Sequence, residues 1–285
     1  MEDSISLYYC KGIDNFGDEL SSYVVEKLAK KSIVFSDPLD GDVFVAIGSL
    51  LTYDVIHTSS IVWGTGTLTK RSVKILPKLF PLSRSLPAFF RRIKGNSQKR
   101  ANILAVRGPL TRKALLDEGI ACPEIYGDPA IIMPRLYTPK KNETTKIGLV
   151  LHHSQESLLD SRLVADVEEN GIKLISIRRK GTEQIESFID EICSCKKVFS
   201  TSLHGLIIAQ AYGIPAQWAI VQGTPIHSDE SHKFKDYFLG VGQDPQTPYG
   251  INLQKDSFNN LIDCPVSKNI IPKSRIEKLL SVFPY

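Results

Sequence analysis

Short apolar runs, three of them closed by glycine, alternate along this chain with stretches of helical period. ISLYY (5–9), VFVAIGS (43–49), SIVWGTG (60–66) and NILAVRG (102–108) are rich in β-branched and aromatic residues and read as strands. Between and after them, ELSSYVVEKLAKK (19–31) places Leu20, Tyr23, Val24 and Leu28 on one helical face. KGIDNFGD (11–18) reads as the loop before it. PLTRKALLDEGI (109–120) has proline at its first helical position and a stopping Gly119.

The pattern breaks at PRLYTPKKNETT (134–145), which is polar, carries prolines and has no apolar period, and so reads as a linker. Beyond it the alternation restarts. KIGLVLHHS (146–154), IKLISIRR (172–179), KKVFSTS (196–202) and IPAQWAIV (214–221) read as strands; the segments 157–171, 182–195 and 203–213 between them read as helices. No sequence repeat is visible, yet the architecture repeats. Strand–helix alternation implies parallel β-α-β units, hence an α/β protein of two Rossmann-like domains facing a cleft. The expected division is 1–136 and 146–273, with a last helix at 274–283 crossing back to the first domain. In such folds ligands sit beyond the carboxyl ends of the strands, so site residues are sought there.

Composition narrows the class. The chain has 285 residues, 42% hydrophobic and 23% charged, enough for two modest cores. No run approaches the roughly 18–20 apolar residues of a spanning helix, and the N-terminus lacks the form of a signal peptide, so a cytoplasmic location is expected. Five cysteines, Cys10, Cys122, Cys193, Cys195 and Cys264, lack paired metal-type spacing. The net charge is only +4, but residues 70–100 hold ten basic side chains and no acid, interleaved with Leu76, Phe80, Phe89 and Phe90. That segment matches no nucleic-acid module; a basic amphipathic piece suits an anionic membrane surface, with ordinary packing beside a loop as the alternative.

The candidate chemistry follows the strands. Thr201, Ser202, Leu203 and His204 stand where strand 196–202 meets helix 203–213, a turn whose free N–H groups can bind an anion. His204 can exchange a proton there at neutral pH. The structural alternative has Ser202 capping the helix and His204 on a carbonyl. Arg107 occupies the matching place in the first half and can grip a phosphate, or else pair with an acid at a helix end. In NFGD, Gly17 permits close backbone approach, and Asp18 either caps the helix or binds a hydroxyl, capping being the favoured role. WGTGTL has two glycines but neither the third glycine nor the acid of a dinucleotide fingerprint. Asp128 in YGDPA follows a short strand and suits a plain turn as well as a site. His152 and His153, and Arg178 and Arg179, end strands at the cleft, where alternation turns one of each pair inward. His227 and His232 fall in TPIHSDESHKF, read as a polar loop.

Taken in order, NFGDELSSYVVEKL, AIGSLL, VWGTGTL, AVRGPLTRKAL, YGDPAII and STSLHGLIIAQAYGIP resemble the polysaccharide pyruvyl transferases, over residues 8 to about 220. The resemblance implies a glycosyltransferase-B-like fold and transfer of the three-carbon unit of phosphoenolpyruvate onto two sugar hydroxyls as a cyclic ketal. It makes His204 the catalytic histidine and Arg107 the arginine on the donor phosphate. Several members have an arginine two places before that histidine, where this chain has Ser202. Arg178 or Arg179 is the expected substitute, with Thr201, Leu203, His152 and His153 around the donor. Asn15, Phe16, Asp18, Gly64, Thr65 and Asp128 are expected on the acceptor side. No cofactor or metal is expected. The implied partners are phosphoenolpyruvate, a polyprenyl-linked oligosaccharide carrying galactose or another sugar of a capsular or exopolysaccharide repeat, the inner face of the membrane through residues 70–100, and a second copy as homo-oligomer. Two rival readings are a nucleotide-sugar glycosyltransferase of the same fold and a non-catalytic sugar-binding relative.

Overall fold

A computed structural model describes residues 4–12, 14–69, 73, 100–140, 147–224, 231–253 and 258–285. The apolar runs form two all-parallel sheets. The first is built from β1 (Ile5–Tyr8), β2 (Ile33–Phe35), β3 (Phe44–Val45), β4 (Ile61–Trp63) and β5 (Asn102–Ala105), in the order β2-β1-β3-β4-β5. The second holds β6 (Ile147–Val150), β7 (Ile172–Leu174), β8 (Lys197–Ser200), β9 (Ala216–Val221) and β10 (Tyr249–Ile251), ordered β10-β9-β8-β6-β7. Counted within its own half, each sheet reads 2-1-3-4-5, so the chain builds one arrangement twice. In each the strand order reverses once, between β1 and β3 and between β6 and β8, and such a reversal opens a crevice beyond the strand ends.

Helix α1 (Phe16–Ala29) shows why the sequence folds as it does locally. Asn15 caps it, its Oδ1 accepting from Gly17 N at 2.9 Å; Asp18 and Glu19 lie in the first turn and Lys27 in the last. Leu20, Tyr23 and Val24 are buried and Leu28 packs against the core. The helix begins three residues before the sequence pattern suggests, because the cap is Asn15 and the first turn carries few apolar residues. Asp18 is therefore not the cap.

The chain continues through α2 (Tyr53–Ile56), α3 (Pro109–Asp117), a 3-10 helix (Pro129–Arg135), α4 (Ser161–Glu169), α5 (Gly181–Cys193), α6 (Leu203–Ala211), α7 (Ser231–Gly240), α8 (Asn259–Asp263) and α9 (Lys273–Leu280). Helix α6 is buried nearly all round, from Leu203 through Gln210, and packs between the second sheet and the 3-10 helix. The two halves share one apolar cluster in which Leu7 and Phe16 join Phe188, Ile207, Trp218 and Phe234. The ring of Phe16 lies 4.1 Å from that of Phe188, and Tyr23 donates to Glu186 at 3.0 Å. At the chain's end, Trp63 Nε1 donates to Leu279 O at 2.9 Å, and the ring of Phe283 packs at a tilt against Trp63, 4.8 Å between centroids.

Three expectations change. YGDPA does not follow a strand: Tyr126 makes a single bridge to Val106, and Asp128 caps the 3-10 helix. The strand read at 172–179 stops at Leu174, since Glu156 takes over the backbone beyond it by accepting from Ile177 N at 3.1 Å. His232 lies at the start of α7, not in a loop, while residues 225–230 of that stretch lie outside the described residues; Phe234, Tyr237 and Phe238 give the helix a buried face that the polar residues before it conceal in the sequence. His227 and nearly all of the basic segment 70–100 lie outside the described residues. Among the described residues no helix is long and apolar enough to cross a membrane.

Candidate active site

The two strand-order reversals face each other across the seam between the halves. Phe16 N donates to Ile177 O at 2.9 Å, and Asn15 Nδ2 meets His153 Nδ1 at 3.1 Å. In the second sheet β6 and β8 run level, Val150 opposite Ser200, so the residues that follow emerge side by side. Thr201 Oγ1 accepts from His152 N at 2.7 Å and donates to Gln155 Oε1 at 2.6 Å, and Ser200 Oγ donates to Ser202 O at 2.7 Å. These hydroxyls fasten the turn. Ser202 makes no side-chain cap bond to α6, which leaves the helix N-terminus without one and presents His204 from the first turn.

The imidazole of His204 lies on Gly17, where an added Cβ would overlap Nδ1. Its Nε2 is 3.6 Å from Asp128 Oδ2, too far for a hydrogen bond and near enough for an ion pair once the ring is protonated. Neither atom has a hydrogen-bond partner, and both are buried. Asp128 is fixed through its other oxygen, which accepts from Ala130 N at 3.0 Å. Gly64 explains how that turn comes so close: its φ is +88°, and a Cβ there would meet the Pro129 ring.

Asp18 completes the cluster from α1. Burial pushes its carboxyl up to about 6; His204 and Lys233 draw it down, Glu19 raises it, and a bond from Cys10 lowers it. Burial, then Asp18, in turn raises the Cys10 thiol. A carboxyl that titrates near neutrality beside an imidazole can exchange protons with substrate in either direction.

The other candidates are placed differently. Arg107 is fully buried and bonded at all three nitrogens: Nε to Asp236 at 3.1 Å, Nη1 to Ser49 Oγ at 2.8 Å and Nη2 to Thr67 O at 2.7 Å. Thr65 is buried as well, bridging Gly48 O and Leu50 N. Arg178 pairs with Glu156 at 2.9 Å and Arg179 with Glu191 at 2.8 Å. His152 turns back to Ser154 at 2.9 Å while His153 reaches Asn15, and the two rings lie 4.1 Å apart; β6 ends at Val150, so the expected alternation of the pair does not hold beyond it.

A profile of the polysaccharide pyruvyl transferase family matches residues 15–217, from the cap of α1 into β9. The chain belongs to that family. It is therefore a transferase, and pyruvyl transfer in polysaccharide biosynthesis is the activity the family carries. An uncharacterized protein, L143, of Acanthamoeba polyphaga mimivirus is similar along nearly its whole length: 26% identical over 287 residues, covering 95% of this chain and 88% of the relative. Asp18, Asp128 and His204 of this pyruvyl transferase all fall inside the matched range.

One buried cation whose charge reaches the cluster lies beyond the matched range and was missed in the sequence; its ammonium lies over the ring of Phe234, 5.6 Å from the centroid. Lys233, on α7, is only 8% exposed, and its charge acts on Asp18. The spacing of Phe234, Tyr237, Phe238 and Val241 was the available signal: it marks α7 as a buried helix and hence Lys233 as a cation held inside the transferase.

Proposed function

We propose that this transferase moves the enolpyruvyl unit of phosphoenolpyruvate onto two hydroxyls of a sugar as a cyclic ketal, on a lipid-linked oligosaccharide for capsular or exopolysaccharide assembly, with galactose as the first acceptor to test. The observation that carries it is His204 in the seam, flanked by Asp128 and Asp18, with buried polar atoms that have no protein partner. We read the two like-ordered sheets as Rossmann-like domains in a glycosyltransferase-B-like pair, which the matching strand orders support.

The reaction needs a proton delivered to the methylene carbon of the enol, which makes the adjacent carbon cation-like. A sugar hydroxyl attacks that carbon and gives its proton to a base. Phosphate then leaves, and the second hydroxyl closes the ring with loss of its own proton. His204 is the proton carrier, and Asp128 sits where it stabilises the imidazolium. Asp18, with a carboxyl that titrates near 6, is the second proton carrier, facing the acceptor together with Asn15. Each step is proton transfer or phosphate departure, chemistry these side chains supply. Arg107, bonded at every nitrogen, is assigned to positioning the loop and α3 and not to gripping phosphate.

The experiment is phosphate release from phosphoenolpyruvate with lipid-linked or synthetic galactosides, comparing wild type with His204→Ala. Acceptor-dependent release that vanishes in the folded variant supports the reading. Thermal stabilisation by a nucleotide-sugar and not by phosphoenolpyruvate would replace it with glycosyl transfer. For residues 70–100 we propose docking on anionic lipid; co-sedimentation with anionic vesicles that is absent at low salt as well as high would refute that part.

A further inference from the structure

We propose that His204 reacts through Nδ1, with Asp128 and Gly17 as the positioning residues that commit Nε2 to the protein and leave Nδ1 to the substrate. The assignment rests on the reading of His204 as proton carrier, and it follows from what each end of the ring touches.

A neutral imidazole holds a proton on one nitrogen and a lone pair on the other, and the neighbours of the ring select which. Nε2 of His204 is buried, lies 3.6 Å from Asp128 Oδ2 and has no hydrogen bond. Asp128 is itself fully buried, and its other oxygen is taken by Ala130 N at 3.0 Å, so Oδ2 is the atom kept toward the ring. An ionised carboxylate accepts and cannot donate, and therefore favours the tautomer with its proton on Nε2. The His204 side chain is still 14% exposed although Nε2 is covered, so its open edge lies elsewhere on the ring.

The Nδ1 end rests on Gly17. A Cβ there would overlap Nδ1 and come within 2.7 Å of both ring carbons bonded to it. The cap of α1 keeps Gly17 in that place, Asn15 Oδ1 accepting from Gly17 N at 2.9 Å, and any side chain at this position would have to displace the imidazole from Asp128. Nδ1 is thereby turned to the first turn of α1, which also carries Asp18.

Both proton steps assigned to His204 then run through one atom. In the imidazolium the Nδ1–H bond breaks as the π electrons of the enol form a C–H bond at the methylene carbon. The freed lone pair of Nδ1 takes the proton of the attacking sugar hydroxyl and restores the imidazolium. Nε2 keeps its proton throughout and Asp128 stays ionised beside it.

The test is the tautomer of His204, read from long-range 1H–15N couplings in protein labelled with 15N-histidine, at a pH where the ring is neutral. The chain has six histidines, and the spectrum of His204→Gln identifies the signal. Expected is the Nε2–H tautomer in the wild type. In Asp128→Asn the amide oxygen keeps the bond from Ala130 N and the NH2 turns to the ring, so the signal should move to the Nδ1–H tautomer. There kcat should fall on the order of 10²- to 10⁴-fold while the KM for phosphoenolpyruvate changes by less than about 3-fold. Gly17→Ala should lower kcat and disturb the same signal. An Nδ1–H ring in the wild type overturns the assignment, and so does a folded Asp128→Asn with unchanged kcat; the wild-type spectrum decides alone if the variants do not fold. That spectrum needs no substrate. An Nε2–H ring in a protein that releases no phosphate with any acceptor would refute the donor reading, and with it the reaction at Nδ1, while the pairing of Nε2 with Asp128 stands.

Discussion

Two polar centres lie in the seam between the sheets, and they differ in how their bonding is met. At the first, Asp236 accepts from Arg107 Nε, from Thr111 Oγ1 at 2.6 Å and from the N–H groups of Leu110 and Thr111 at 2.9 and 3.0 Å. Asp236 and Arg107 are both fully buried, and glycines allow the approach: a Cβ on Gly108 would overlap the Asp236 carbonyl, and one on Gly240 the Arg107 carbonyl. At the second, Asp128 Oδ2 and His204 Nε2 are just as hidden from water and have no hydrogen bond. A saturated buried network fixes geometry, and a partly satisfied one is costly unless something else completes it. The difference separates a group that holds the halves together from the one proposed for the chemistry between them.

The contrast is broken most directly at its saturated end. Asp236→Ala leaves the Arg107 guanidinium buried without its carboxylate and the α3 N–H groups without an acceptor, and should cost about 3–5 kcal/mol in urea unfolding. A cost below about 1 kcal/mol would show the centre to be no brace. His204→Ala should do the reverse. Activity falls on the order of 10²- to 10⁴-fold, while stability moves by no more than about 1 kcal/mol, since no hydrogen bond is lost. Asp18 sharpens the comparison through pH. Its carboxyl titrates near 6 in the folded chain and near the ordinary aspartate value unfolded, so the folded state binds the extra proton. Stability should therefore be highest below about pH 4 as far as this group is concerned and fall as pH rises through 6, by on the order of 3 kcal/mol at most. Asp18→Asn should flatten that part of the profile and raise Tm at pH 8. The smallest effect belongs to the half-exposed Arg178–Glu156 pair. Arg178→Ala should cost about 1 kcal/mol or less and leave the donor KM unchanged, which separates this surface pair from both centres.

Much of this was legible from residues. The apolar runs marked eight of the ten strands, because parallel strands buried on both faces read as continuous hydrophobic runs. β2 and β10 escaped because IVF and YGI stand among polar and turn residues, KKS before and SDP after IVF and TP before YGI, so no longer apolar run announces them as it does the equally short β3, β4 and β7. His204 was found because it follows a strand and opens an apolar helix. Its partner Asp128 was read on the acceptor side, since only folding brings residues 76 positions apart to opposite ends of one 3.6 Å contact. Arg107 was the instructive case. Its position after β5 suits a phosphate as well as a carboxylate, and Asp236, 129 residues away, decides its bonding. Lys233 stayed hidden because α7 opens in polar residues, so that helix looked like loop.

The contact between Trp63 and Leu279 joins residues 216 positions apart and sets a clock on synthesis. A ribosome adding about 5–20 residues per second takes on the order of 10–40 s to make the piece that completes the first sheet's packing. Until then Phe44 and Trp63 lack the covering that Phe283 and Tyr285 later provide. The nascent first half thus carries an exposed aromatic face, and it is in that interval, not in the finished protein, that the chain is most open to chaperones and to aggregation.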